Sequence, residues 1–190
     1  MMDMIVLASA SPRRQELLRN AGIAFRVQAA HINEDARDGE GAKECVERLA
    51  REKAEAIWKL RPNEAVLGAD TVVVVGDEVL GKPADAEDAA RMLRKLSGRA
   101  HEVITGVCLV AGGQCCVGSE ITSVTMCEIP ANEIAEYAAS GEPMDKAGGY
   151  AIQGMASRWV TRIEGDYSNV VGLPVALVYK MLRIAAVSRQ

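Results

Sequence analysis

Residues 66–80 read VLGADTVVVVGDEVL and form the most strand-like segment of the chain. Four consecutive valines follow Thr71, and β-branched residues favour the extended conformation. The polar pair Gly76-Asp77 then predicts a tight turn into a second, shorter strand, so that the segment forms a β-hairpin. One residue does not suit a buried strand, because Asp70 places a carboxylate among apolar neighbours.

Helical and extended patterns alternate on both sides of this hairpin, from one end of the chain to the other. The clearest helix covers residues 42–60, with an apolar stripe at helical spacing formed by Ala42, Val46, Leu49, Ala56, Ile57 and Leu60. Further strands are predicted at 4–8, at 24–28 and on both sides of a turn at 111–114, and further helices at 11–20, 85–96, 134–139 and 173–187. Since no internal repeat or long linker interrupts the pattern, we expect an α/β protein with one domain over residues 1–190.

The composition excludes several classes of protein. The chain has 190 residues, of which 49% are hydrophobic, which is enough for a sizeable core. Its net charge of −4 is unsuited to binding a nucleic-acid backbone, and no apolar run approaches the roughly 20 residues of a membrane span. The cysteines, odd in number and without metal-site spacing, suit a reducing cytoplasm. With only two histidines, the chemistry is expected to rest on carboxylates, lysines and arginines.

The start of the first predicted helix has the features of a phosphate-binding site. Ser11 is a favourable N-cap and Pro12 a favourable first helical residue. Arg13 and Arg14 then lie in the first turn, where positive charge opposes the helix dipole, and Ser9 lies just before it. Free backbone N–H groups together with two guanidinium groups would hold phosphate oxygens. The alternative is a pair of solvated arginines, and the glycine-lysine pattern of a Walker A loop is absent.

Two charged residues stand in apolar surroundings and call for partners. Lys53 lies on the apolar stripe of the helix predicted at 42–60, and Asp70 lies inside the valine-rich strand. Each is costly to bury unless it meets an opposite charge or, for Asp70, a metal ion. Glu34 could supply a second carboxylate to a Mg²⁺ or Mn²⁺ site, which prefers oxygen ligands. The alternatives are a snorkelling lysine, an aspartate bound by backbone N–H groups and a surface glutamate.

Two later segments extend the set of candidates. Lys82 precedes Pro83 in a turn that would hold it in place, although turn lysines are usually just solvated. Residues 140–154 are rich in glycine and charge, which makes them a candidate binding loop. A triphosphate has about four negative charges, and hydrolysis requires cations on its oxygens and a group that activates water. The cations and the water-activating group would be supplied by Arg13, Arg14, Lys53, Lys82, Glu34 and Asp70.

The chain resembles the Maf family of nucleotide pyrophosphatases. The resemblance rests on LASASPRR at 7–14, LGADT at 67–71, GKP at 81–83 and SG at 97–98, in the order and spacing of the family. It extends over nearly the whole chain. It implies a mixed, twisted sheet flanked by helices, two lobes with a central cleft as in inosine triphosphate pyrophosphatases, a homodimer and a divalent cation.

The loop EPMDKAGGYAIQG at 142–154 is similar to the branch of the family that acts on dTTP and UTP, with Met144 and Gly149 as small departures. By resemblance, Asp70 is the catalytic proton acceptor, and Arg13, Thr71 and Gln153 take positions tied to substrate choice. The Gln153 amide both donates and accepts hydrogen bonds, which suits the O4 and N3–H edge of uracil or thymine.

The resulting hypothesis is a nucleoside triphosphate pyrophosphatase that converts dTTP and UTP to the monophosphate and pyrophosphate. Ser9, Arg13, Arg14, Lys53 and Lys82 would bind the triphosphate, while Glu34 and Asp70 would hold the divalent cation. Two alternatives remain at this point. One is an enzyme for purine triphosphates such as ITP, and the other is a non-catalytic regulator of septum formation that binds nucleotide as a signal.

Overall fold

The computed structural model describes residues 4–187. Its strands are β1 (Ile5–Leu7), β2 (Phe25–Val27), β3 (Val66–Val75), β4 (Glu78–Leu80), β5 (Ala100–Ala111), β6 (Gln114–Met126) and β7 (Val160–Glu164). Its helices are α1 (Pro12–Asn20), α2 (Ala42–Trp58), α3 (Ala86–Leu96), α4 (Ala131–Ala139), α5 (Tyr167–Val171) and α6 (Val175–Val187). Short 3-10 turns cover Glu142–Asp145, Ala147–Gly149 and Met155–Trp159. No helix within this described part is both long and apolar enough to cross a bilayer.

The strands form one mixed sheet in the order β2-β1-β3-β5-β6-β7, with β4 paired to β3. β1 is parallel to both β2 and β3, whereas β3 with β4 and β6 with β7 are antiparallel. The register pairs Leu7 of β1 with Leu67 of β3. Because β1 ends at this pair, Ser9 after β1 and Asp70, three residues past Leu67 in the middle of β3, both follow the end of the parallel pairing.

Two compact units make up the chain. The first contains the described residues up to Asp70, Thr105–Glu120 and the described residues from Gly172 onward. The second contains Thr71–Ile104 and Ile121–Val171. The expectations of one domain over 1–190 and of a cleft between two lobes stay predictions.

The first unit has tight contact between α2 and the sheet. A Cβ atom added to Gly68 on β3 would lie 2.1 Å from the backbone oxygen of Ala50 on α2. One added to Gly106 on β5 would lie 2.3 Å from the oxygen of Val46. Only glycine permits a helix backbone to approach a strand this closely. The approach brings the middle of α2 over the segment of β3 that precedes Asp70.

Aliphatic side chains form the core of this unit in two clusters. One includes Leu7, Leu67 and Leu109 on neighbouring strands together with Leu173 and Val178 near the end of the chain. The other comprises Val6, Ala8, Ala50, Ala54, Ile57, Val66, Cys108 and Val110. The strands are therefore covered by apolar side chains on both faces, which explains their nearly continuous apolar sequences.

The second unit contains a buried polar link in addition to its apolar core. Asn169, which is fully buried, donates to the Val103 backbone oxygen at 2.9 Å and to Thr122 Oγ1 at 3.0 Å. This amide connects α5 with β5 and β6. Such a buried amide stabilises the structure only because its donors are satisfied.

Most predicted elements are confirmed, and their caps are visible. Ser11 Oγ accepts from the Arg14 backbone N–H, and Asp85 Oδ1 accepts from that of Asp88, as expected for N-caps. The prediction was wrong for Leu60, which follows the end of α2 and is 66% exposed. α2 ends at Trp58, and the backbone N–H of Leu60 bonds three residues back to the Ile57 oxygen, so Leu60 no longer follows the helical spacing of the apolar stripe.

Candidate active site

Lys53 is the centre of a charged cluster in the first unit. Its Nζ lies 2.7 Å from Asp70 Oδ1 and 2.8 Å from Glu34 Oε1. The lysine side chain is 9% exposed, that of Asp70 13% and that of Glu34 49%. The ammonium therefore meets two anions rather than water, and the snorkelling alternative is wrong. The buried Asp70 carboxylate is thus paired with a cation, as its position requires.

Regular secondary structure positions this cluster. Lys53 follows Ala50 by one turn of α2, and Asp70 follows Gly68 by two residues on β3. The close approach of Ala50 to Gly68 therefore places the two charged side chains opposite each other. Glu34 comes from the irregular segment between β2 and α2 and is directed outward, which leaves its carboxylate half in solvent.

The donor set suits a divalent cation such as Mg²⁺. Glu34 and Asp70 carry carboxylate oxygens that converge on one point, the Lys53 ammonium. Mg²⁺ is typically held by one or two carboxylates and completed by water and substrate phosphates. Within residues 4–187 there is no group of three or more His, Cys, Asp or Glu side chains placed for a metal. That Glu34 and Asp70 hold a divalent cation stays a prediction.

Arg14 ties the start of α1 to two other segments. Its Nε donates to the Gly172 backbone oxygen at 2.8 Å, and its Nη1 donates to the Ala69 oxygen at 2.8 Å and to Ser9 Oγ at 3.1 Å. Burial lowers the pKa of Arg14, an effect that the nearby charge of Asp70 opposes. The alternative of a solvated side chain is therefore wrong for Arg14. Its contacts hold Ser9 next to the carbonyl that precedes Asp70.

A family model described as "Maf-like protein" matches residues 4–185. The chain belongs to the Maf family. Similar proteins named "dTTP/UTP pyrophosphatase" include one from Koribacter versatilis, 59% identical over 96% of this chain and 95% of that protein. Others come from Symbiobacterium thermophilum, at 51% identity over 95% and 93%, and Hahella chejuensis, at 48% over 94% and 90%. The solved Staphylococcus aureus Ham1 protein is similar at 18% identity and a TM-score of 0.47, over 65% of this chain and 72% of that one.

In this Maf-like chain, the predicted site residues fall into two groups. Ser9, Arg14, Glu34, Lys53 and Asp70 are brought together in the first unit by the contacts above, and Arg13 is half-buried in the first turn of α1. Thr71, Lys82 and Gln153 belong to the second unit. Thr71 is half-buried on β3, whereas Lys82 and Gln153 are exposed.

Two loops with predicted site residues meet within the second unit. The Gly148 N–H donates to the Gly81 backbone oxygen at 2.9 Å, which joins the loop before Lys82 to the one before Gln153. Gly148 has a φ of 71°, and a Cβ there would lie 2.8 Å from Val73. Both the backbone conformation and the lack of space therefore require glycine.

Two buried aromatic residues of the same unit were missed in the sequence. His101 Nε2 lies 2.8 Å from the Tyr150 hydroxyl, and both side chains are buried. Burial lowers the pKa of His101 to about 4, so the imidazole is neutral at pH 7. The contact fixes Tyr150 inside the segment that includes Gln153. Neither residue stands out in the sequence, because their proximity depends on the packing of β5 against an irregular segment.

Proposed function

We propose that this Maf-like chain hydrolyses dTTP and UTP to the corresponding monophosphate and pyrophosphate. The observation that carries the proposal is the buried Lys53 ammonium between Asp70 and Glu34. It is supported by relatives named dTTP/UTP pyrophosphatase that match almost the full chain at 48 to 59% identity. A cluster in which a buried lysine meets a buried and a half-exposed carboxylate is expected where a charged substrate reacts rather than where a core packs.

Asp70 is proposed to position the attacking water and to accept its proton. The Asp70 carboxylate accepts from Lys53 on Oδ1, and an ionised carboxylate has about four acceptor positions, of which one could serve such a water. Lys53 fixes the orientation of that carboxylate, and its other contact, Glu34, keeps a second carboxylate close by. The water then attacks the α-phosphorus, and pyrophosphate leaves.

A divalent cation is proposed to take part, with Glu34 and Asp70 as its protein ligands. When bound, Mg²⁺ or Mn²⁺ supplies positive charge to the triphosphate oxygens and to the leaving pyrophosphate. Ser9, Arg13 and Lys82 are proposed to contact phosphate oxygens together with Lys53. Arg14, whose guanidinium already donates to two backbone carbonyls, contributes by holding Ser9 in place as well as by its charge.

Thr71 and Gln153 are proposed to act on substrate choice. The exposed Gln153 amide is available to pair with the polar edge of uracil or thymine through both its donor and its acceptor. A site that hydrogen-bonds one base edge discriminates strongly against bases with a different donor and acceptor pattern.

The test is pyrophosphate release from dTTP, UTP, ITP and GTP, each with EDTA, with Mg²⁺ and with Mn²⁺. We expect release from dTTP and UTP that requires a divalent cation, with one monophosphate formed per pyrophosphate. Hydrolysis in ¹⁸O-labelled water should place the label in the monophosphate, because the α-phosphorus is attacked. Label in pyrophosphate, preference for ITP, or tight binding without turnover would each contradict the proposal.

The proposal also includes a homodimer and a cytoplasmic location. The dimer follows from the family resemblance, and the location agrees with five free cysteines, of which Cys115, Cys116 and Cys127 are exposed. Sedimentation equilibrium at micromolar concentration should give twice the monomer mass of 20.3 kDa. A single species at the monomer mass would contradict the dimer without affecting the assignment of the reaction.

A further inference from the structure

We propose that Tyr137 and Glu142 are positioning residues for base recognition, which act by holding the backbone on both sides of Gln153. We name the two side chains the Tyr137–Glu142 clamp. The inference rests on the proposed function for the identity of the base, whereas the clamp itself rests on contacts within the second unit.

Tyr137 provides the first half of the clamp. Its side chain on α4 is fully buried, and its hydroxyl accepts from the Ala151 backbone N–H at 3.0 Å. The same hydroxyl donates to Glu142 Oε1 at 2.9 Å. Burial raises the pKa of Tyr137, so the phenol keeps the proton that it donates. The backbone two residues before Gln153 is therefore bound to a buried side chain of α4.

Glu142 provides the second half of the clamp. Its Oε1 also accepts from the Met155 backbone N–H at 3.1 Å, two residues after Gln153. One phenol and one carboxylate thus fix the chain at Ala151 and at Met155. The tripeptide between these two points has little freedom to move its backbone.

Gly154 gives independent support for the position of the carboxylate. A Cβ atom at this residue would lie 2.1 Å from Glu142 Oε1, closer than any contact permits. The φ of Gly154 is −105°, which every residue type can adopt, so conformational freedom does not explain the glycine. A side chain at this position would displace the Glu142 carboxylate, the end of a flexible side chain, which rests directly against the backbone next to Gln153.

The consequence is a pre-organised backbone at the recognition residue Gln153. Gln153 itself is exposed, but the backbone that carries it is held by the buried Tyr137 hydroxyl and by the half-buried Glu142 carboxylate. Recognition of a base edge requires donor and acceptor to be placed within fractions of an ångström, and supporting residues supply that precision. Loss of the clamp should therefore have the same effect on catalysis as loss of the Gln153 amide.

The test is a double-mutant cycle with Tyr137→Phe and Gln153→Ala, measured with the nucleotide that the wild type hydrolyses best. Tyr137→Phe keeps the ring that packs edge-on against Trp159, at 5.2 Å between centroids, and removes only the hydroxyl. We expect kcat/KM to fall about ten- to a hundredfold in either single variant. The double variant should have the same kcat/KM as Gln153→Ala alone, because both changes remove the same function, recognition of the base by Gln153.

Two further variants separate positioning from general destabilisation. Glu142→Gln retains an oxygen acceptor and should keep most of the activity, whereas Glu142→Ala should resemble Tyr137→Phe. Thr122→Val is the matched control, since it removes a buried hydroxyl from the same unit that bonds Asp166 and Asn169 instead. It should leave kcat/KM within about twofold of the wild type.

Amide hydrogen exchange tests the clamp without relying on turnover. Tyr137→Phe should increase exchange of the 151–155 segment in folded protein, and Thr122→Val should not. A wild type that prefers a purine nucleotide would remove the proposed function and leave the cycle measurable on that nucleotide. Additive effects in the cycle, or unchanged exchange and kcat/KM in folded Tyr137→Phe, would overturn the inference.

Discussion

The charged cluster of Glu34, Lys53 and Asp70 and the Tyr137–Glu142 clamp are built in different ways. Two members of the cluster lie on regular elements, Lys53 on α2 and Asp70 on β3, and the separation of those elements is set by the contact at Gly68. In the clamp, the Tyr137 hydroxyl on α4 and the Glu142 carboxylate instead accept hydrogen bonds from backbone N–H groups outside the α-helices and strands.

This difference predicts how each region responds to mutation. In the charged cluster, a side chain can be replaced while the helix and the strand hold their positions, so the chemistry changes and the fold does not. In the clamp, the side chains themselves hold the backbone, so a single hydroxyl affects the position of a neighbouring residue. The predictions below test this contrast.

The largest effect is expected from Asp70→Asn. The amide cannot accept a proton from water, so kcat should fall about 10²- to 10⁴-fold, the usual contribution of a general base. The backbone of β3 is held by its neighbours, and the urea midpoint should therefore change little. Asp77→Asn in the exposed turn after β3 is the control. Near-normal turnover of folded Asp70→Asn protein would remove this residue from the mechanism.

Gly68→Ala should have the largest effect on stability. The added methyl group meets backbone rather than a flexible side chain, so α2 must shift away from β3. We expect a loss of about 3 kcal/mol in the free energy of unfolding. Gly81→Ala, which adds its methyl group in open space, should stay within about 0.5 kcal/mol of the wild type. Equal stability of the two variants in urea titrations would contradict the role of Gly68.

Lys53→Met tests the centre of the charged cluster. The aliphatic stem is kept, but the Asp70 carboxylate loses its hydrogen-bond donor and Glu34 its ion-pair partner. We expect kcat/KM to fall about a hundredfold through both kcat and KM. Helix content by circular dichroism should be retained. A variant that unfolds with normal specific activity in its folded fraction would indicate that Lys53 serves packing alone.

The smallest effect is expected from His101 and depends on pH. Its pKa is about 4 in the folded chain, below the ordinary value of 6.5, so the unfolded chain binds more protons between these values. The stabilisation is present above pH 6.5 and is lost as the pH falls toward 4. Between pH 7 and pH 5, His101 should lower the free energy of unfolding by about 2 kcal/mol. His101→Gln should show a flatter dependence of unfolding free energy on pH, and an equal slope in both proteins would contradict this account.

The sequence was informative wherever a residue conflicted with its own surroundings. Lys53 on an apolar stripe and Asp70 among valines each required a partner, and the structure pairs them. Ser11 was identifiable as a cap because capping depends on residues within one turn. The elements, apart from β7 and α5, follow from the same local periodicities.

The remaining features depend on contacts between distant segments. Nothing near Tyr137 in the sequence indicates that its hydroxyl binds Ala151, because Ala151 lies in an irregular segment whose position no periodic pattern predicts. Arg14 was expected at the phosphates, but its bonds to Ala69 and Gly172 arise only when three segments meet. Gly154 was a visible signal, although its steric reason requires the position of Glu142.

The central claim is that the charged cluster performs the reaction while the clamped Gln153 selects the base. The most direct test compares kcat/KM for UTP and ITP in the wild type, Asp70→Asn and Gln153→Ala. We predict that Asp70→Asn lowers both values by the same factor and leaves their ratio unchanged, whereas Gln153→Ala lowers the ratio at least tenfold. A ratio that changes in Asp70→Asn, or that survives in Gln153→Ala, would contradict the division of roles.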